Sequence, residues 1–149
     1  MDTYRQSLEE QVIRYYMGGD KSFAFGDLAT SKPYLRIAAK TNNEKFYILR
    51  MDLQDFPNRL PCVYVETMLS DCHGNPMNSA SKLNHTLKPH PNGWTQICHY
   101  RPDDWTPDQS LWLIYIRCVL WLNIYEQTLI SGHDMEYYLR KSVVDNSDN

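Results

Sequence analysis

The sequence lacks a run of about 20 apolar residues, the length a helix needs to cross a bilayer. Its longest apolar stretch, LWLIYIRCVLWLNIY from Leu111 to Tyr125, is shorter and carries Arg117 near its centre. That predicts a deeply buried helix and no membrane span. Positive charge is not in excess either: 15 Lys and Arg stand against 18 Asp and Glu, for a net charge of −3. A nucleic-acid binder needs a basic surface to release phosphate counterions. The short basic clusters at Arg36 to Lys40 and at Arg140-Lys141 are too sparse for that, so nucleic acid is not an expected partner. The opening MDTYRQSLEE has no basic segment followed by an apolar one. This predicts no secretory signal and a cytoplasmic protein. In a reducing compartment Cys62, Cys72, Cys98 and Cys118 read as free thiols, not as a disulfide framework. None of them is paired at the Cys-x₂₋₄-Cys spacing usual for structural zinc.

What is present is a chain of 149 residues, long enough for one domain with a full core. No internal repeat or linker divides it, so one domain is expected over residues 1–142, with a frayed tail at 143–149. Tyr4, Leu8, Val12 and Tyr15 recur at helical spacing, which predicts a helix from Thr3 to Met17. Thr3 and Gln6 fit a capping box at its start, and Gly18-Gly19 fit its end. Tyr34 to Thr41, Phe46 to Leu53 and Cys62 to Met68 read as three strands joined by short connections, hence antiparallel. Leu69 to Gly93 has no pattern of its own and reads as a long irregular flap. A long helix follows, with Thr106 as the expected N-cap, Pro107 in its first turn and Gly132 as its stop. A short helix is expected from Met135 to Lys141. The fold class is therefore α+β, with helices beside an antiparallel meander. The long helix is apolar nearly all round, which predicts a protein partner or a homodimer surface on part of it.

Between the meander and the long helix lies HPNGWTQICHYRPDDW, from His90 to Trp105. Four pieces around it resemble the ubiquitin-conjugating (E2) enzyme family. FYILRMDLQDFPNRLPCVYVETM resembles the family's strand, proline-rich turn and strand. His90-Pro91-Asn92 resembles its His-Pro-Asn motif. Ile97 to Tyr100, ICHY, resembles its cysteine strand. Trp105 to Leu111, WTPDQSL, resembles the opening of the helix that follows. The pieces occur in family order and span nearly the whole chain. Within the family, HTL…TQICHYRPDDWTP…LWLNIYEQTLISG is similar to bacterial members from CBASS antiphage operons built around a cGAS-like nucleotidyltransferase. The resemblance implies the ubiquitin-conjugating fold and a Cys98 thioester with the C-terminal residue of a protein tail, by analogy the nucleotidyltransferase's own. It further implies transfer to an amine and an activating enzyme (E1) supplied in trans. No cofactor is implied for the step itself.

Cys98 is the expected nucleophile, since a thioester carrier needs an accessible thiol. The plain alternative is a buried strand cysteine. Asn92 is a candidate oxyanion donor, or else an ordinary turn residue before Gly93. In the family the corresponding asparagine lies further from the cysteine, so His85-Thr86 is the other candidate counterpart. His99 follows Cys98 directly, but neighbours in a strand point to opposite faces. His85 and His90 read as flap residues that line or cap the site. Asp134 falls where the family keeps an acidic group, and it also suits an N-cap. Trp105 and Tyr100 read as supports of the cysteine loop. Two other classes stay open: an E2-fold binding module without chemistry, or a thiol hydrolase acting on such conjugates. Zinc on Cys98, His99, His85 and His90 is a weaker third, because the spacing is wrong for a structural site.

Overall fold

A computed structural model describes residues 1–18 and 22–140. Helix α1 (Thr3–Tyr16) is followed by β1 (Phe23–Gly26), β2 (Tyr34–Lys40), β3 (Phe46–Asp52), β4 (Val63–Val65), β5 (Thr86–Leu87) and β6 (Gln96–Ile97). A 3₁₀ turn at Pro102–Asp104, the long helix α2 (Leu111–Ser131) and a short helix α3 at residues 135–140 complete the order. The strands form one six-stranded sheet in the order β1-β2-β3-β4-β6-β5, antiparallel at every pairing. The α+β class and the central meander are as expected. The frayed tail expected at 143–149, along with Gly19 and Lys141, lies outside the described residues.

Alternation explains the sheet. Leu35, Ile37 and Ala39 of β2, Leu49 and Met51 of β3, and Val63 and Val65 of β4 are all buried on one face. Their neighbours Arg36 and Arg50 stand on the other face, where both pair with Glu66. A strand buries every second residue when one face is covered. The cover is α1, through Ile13, and α2, through Leu111, Ile114, Cys118 and Leu122.

Two helix starts differ from the sequence expectation. The cap of α1 is Asp2, whose carboxylate accepts from the Arg5 N–H at 2.7 Å, so Thr3 is already helical. Helix α2 starts at Leu111, capped by Ser110, whose hydroxyl accepts from the Leu113 N–H. Thr106-Pro107 forms a turn instead, closed by the Gln109 N–H on the Thr106 carbonyl. The reason lies in a distant residue. Arg5 of α1 donates to the carbonyls of Pro107 and Gln109, which takes those groups away from a helical ladder. Gly132 does end α2, at φ 80°, the left-handed geometry glycine adopts without penalty.

Glu126 fastens the far end of α2 to the sheet. The Tyr47 hydroxyl and the Asn43 amide donate to its carboxylate at 2.7 and 3.0 Å. Burial alone would raise the Glu126 carboxyl. Hydrogen bonds from Thr41, Tyr47 and Asn43 and the charge of Lys45 outweigh it, and the group sits below its ordinary range. A depressed carboxyl stabilises the fold above its unfolded value of about 4.3. That contribution fades as pH falls through the lower folded value. Glu126→Gln is therefore expected to lower stability at neutral pH, and its deficit against wild type should shrink as pH drops below about 4.3. Denaturant titrations at several pH values measure this; a deficit that stays constant contradicts it.

Candidate active site

The site grows from the short β5–β6 hairpin. Thr86 pairs with Ile97 and Leu87 with Gln96. One step further along the same ladder, the Cys98 N–H donates to the His85 carbonyl at 3.0 Å. Cys98 and His85 thus face each other across the open end of the hairpin, with His85 at the last position of the turn that precedes β5. The Trp121 indole N–H, from the buried middle of α2, donates to the same carbonyl at 3.0 Å. His85 is held at φ 50°, a left-handed conformation uncommon outside glycine. Such backbone persists only where its surroundings fix it, and it clusters at functional sites.

His85, Cys98 and His99 line one side of a mostly apolar cleft of about 330 Å³. Arg117 and Trp121 of α2 and Leu139 of α3 line the other. Cys98 is half-buried, and burial pushes its thiol above the ordinary value. Left to itself this thiol is protonated at neutral pH, so its reactivity depends on a neighbouring base. His99 is a poor choice for that base. Burial drives its imidazole down to about 4, with the nearby Arg117 charge adding to the effect. A base works best with a pKa near the operating pH. His99 Nδ1 lies 3.4 Å from the Ile97 carbonyl, and its buried Nε2 has no hydrogen-bond partner. That nitrogen is a polar atom a bound molecule in the cleft would satisfy.

His85 is different. Its Nε2 lies 2.6 Å from the Glu136 carboxylate at the start of α3. Hydrogen bonding from His85 holds the Glu136 carboxyl below its usual range, despite some opposing burial. Glu136 was not singled out from the sequence; Asp134 was. The structure gives Asp134 to the cap of α3, where it accepts from the Tyr137 N–H at 2.9 Å, and turns it toward a separate cleft beside Cys72 and His133. A signal for Glu136 did exist. An aspartate at an N-cap spends its side chain on the residue three positions on, which leaves Glu136 as the next acid of that segment.

Asn92 and His90 are not brought to Cys98. They sit in the turn at the opposite end of the β5–β6 hairpin. There the Asn92 N–H donates to His90 Nδ1 and the Gly93 N–H to the His90 carbonyl. The His90 ring stacks on Trp94 and meets the edge of Tyr64, and it lines a different cleft with Arg50. Asn92 is exposed and does not line the Cys98 cleft. Hairpin register places His85, and not Asn92, across from Cys98. The same register separates His90 from His85, so the four zinc-ligand candidates do not converge. Among the described residues no group of three or more His, Cys, Asp or Glu side chains is arranged to hold a metal ion.

Trp105 supports the segment after Cys98. Its indole N–H donates to the Pro57 carbonyl at 2.9 Å, and its ring packs against Phe56 and against the edge of Tyr100. Tyr100 in turn lies under the Arg117 guanidinium at 4.2 Å and lines the cleft. Cys118 is fully buried, with its thiol pushed far up by burial. Cys62 and Cys72 are half-buried and lie away from this cleft.

Fold and site together define an α+β protein whose half-buried cysteine opens into an apolar cleft beside a histidine–carboxylate pair. No family model, curated protein or solved structure matches the chain. No helix among the described residues is long and apolar enough to cross a membrane.

Proposed function

We propose that the protein is an E2-like acyl carrier with a ubiquitin-conjugating type of fold. Cys98 accepts the acyl group of a protein's C-terminal residue as a thioester and passes it to an amine. The observation that carries this reading is the setting of Cys98: a half-buried thiol at a strand end, directly opposite His85, opening into an apolar cleft. A thioester carrier needs that combination, since the thiol must be reachable while the acyl bond is shielded from bulk water. The order of elements also supports it, with an N-terminal helix, an antiparallel meander, a long flap and helices behind the cysteine. By the resemblance above, the donor is the tail of a cGAS-like nucleotidyltransferase in a cytoplasmic antiphage system, and an enzyme in trans activates that tail.

The test is to express the protein with its operon neighbours and resolve it on non-reducing gels. A slower band that thiol reagents abolish, and that Cys98→Ala lacks, is the expected result. Absence of such a band in wild type, with the donor and an activating enzyme both present, defeats the carrier reading.

A further inference from the structure

We infer that Glu136 is a positioning residue for His85, and that His85, so held, is the base that takes the proton from the Cys98 thiol. The inference rests on the reading of Cys98 as the reacting group. It adds a residue and a step that this reading does not contain.

The argument is geometric. His85 Nε2 is committed to the Glu136 carboxylate at 2.6 Å. An imidazole whose one nitrogen donates to a carboxylate keeps its lone pair on the other, so the proton-accepting atom is Nδ1. No hydrogen bond occupies Nδ1 among the described residues, that of the Cys98 thiol included, so the proton passes by a turn of the Cys98 side chain within the cleft or through one bridging water. Cys98 is the residue directly across the ladder from His85, and both side chains line the same cleft. Three restraints keep the imidazole there: the Trp121 N–H and the Cys98 N–H, both on its carbonyl, and Glu136 on its ring. Glu136 is itself anchored, because its N–H donates to the Leu83 carbonyl at 3.0 Å. Nucleophile, base and orienting carboxylate is the arrangement that activates a weak nucleophile.

The step balances within these three groups. The Cys98 S–H bond breaks and a bond forms from that proton to His85 Nδ1. The products are a thiolate and an imidazolium, and the Glu136 charge stabilises the imidazolium. The other titratable or charged groups facing the pair are His99, Tyr100 and Arg101 after β6, Arg117 of α2 and Arg140 of α3. Both arginines on the helices favour the thiolate. The arginines carry no free lone pair to take a proton, and the His99 imidazole, held down to about 4, is too weak a base for the task.

The test reads thiol chemistry and needs no acyl donor. The rate of Cys98 alkylation by iodoacetamide is followed against pH by peptide-resolved mass spectrometry, with Cys62 and Cys72 as internal controls. Glu136→Gln is expected to raise the midpoint of the Cys98 profile by about one pH unit, which slows alkylation at neutral pH about tenfold. His85→Gln is expected to raise it at least as far. In the double variant, Glu136→Gln should add nothing, because it acts through His85. Glu136→Asp, a gentler change if Glu136→Gln folds poorly, should fall between. A Cys98 midpoint that stays at the wild-type value in Glu136→Gln or Glu136→Asp overturns the inference, as does full additivity in the double variant. The two proposals fail separately. A thiol-labile conjugate with unshifted profiles leaves the carrier and removes the relay; shifted profiles without any conjugate do the reverse.

Discussion

Cys98→Ser is expected to abolish the thiol-labile conjugate and to replace it, slowly, with one that resists thiols but yields to hydroxide. The thiol and the hydroxyl fill nearly the same space, so the cleft should keep its shape. What changes is the nucleophile. A thiol sheds its proton within reach of a histidine, whereas a hydroxyl needs a much stronger base. Removing a nucleophile that works as part of a unit has cost up to about 10⁶ in rate elsewhere. A fall of about 10³-fold or more in conjugate formation is therefore expected here. The oxygen ester that does form is less reactive toward amines and should accumulate instead of passing on its acyl group. A time course on non-reducing gels, with hydroxide and thiol treatments in parallel, distinguishes the two linkages. Equal rates in wild type and Cys98→Ser would place the acyl group on another residue.

The middle of the sheet was plain because β2 and β3 run for seven residues each, long enough for partial alternation to show. Alternation needs length to be visible. β1 has four residues, and β5 and β6 have two each, so no period could announce them. The same shortness hid the key pairing of the site. The residue type and the turn beside Cys98 fit a buried strand cysteine as well as a nucleophile, and only the family resemblance of the segments around it singled it out. Which residue faces it depends on hairpin register, and a two-residue ladder leaves no trace of register in sequence. His-Pro-Asn was the more eye-catching motif, yet it closes the turn, while the quieter His85 stands opposite the thiol. Glu136 was harder still. Its role depends on the phase of a short helix and on a 2.6 Å contact across 51 positions of chain.

The start of α2 shows the same limit and leads to the largest expected effect on stability. Arg5→Ala is expected to destabilise the protein by about 3–5 kcal/mol. Arg5 sits where four partners meet. Its Nε contacts the Glu9 carboxylate at 2.9 Å, its two terminal nitrogens donate to the Pro107 and Gln109 carbonyls at 2.6 and 2.7 Å, and its guanidinium lies over the Phe56 ring. Glu9 is only 3% exposed, and its other oxygen accepts from the Leu111 N–H at the first turn of α2. Removing Arg5 leaves that carboxylate buried with one neutral donor and frees the two carbonyls that hold the turn before α2. A lone buried charge costs far more than an exposed ion pair returns. At 2–4 °C per kcal/mol for a chain of this size, the melting temperature should fall by roughly 10 °C. Adding Glu9→Leu to Arg5→Ala is expected to recover part of the loss, because the stranded charge goes with it and an apolar side chain fills the space. Denaturant unfolding of the single and double variants measures both effects. A loss below about 1 kcal/mol in Arg5→Ala would mean that the junction behaves as a surface ion pair. A double variant less stable than Arg5→Ala would mean that the Glu9 bond to Leu111, and not the pairing of charges, is what fastens α1 to α2.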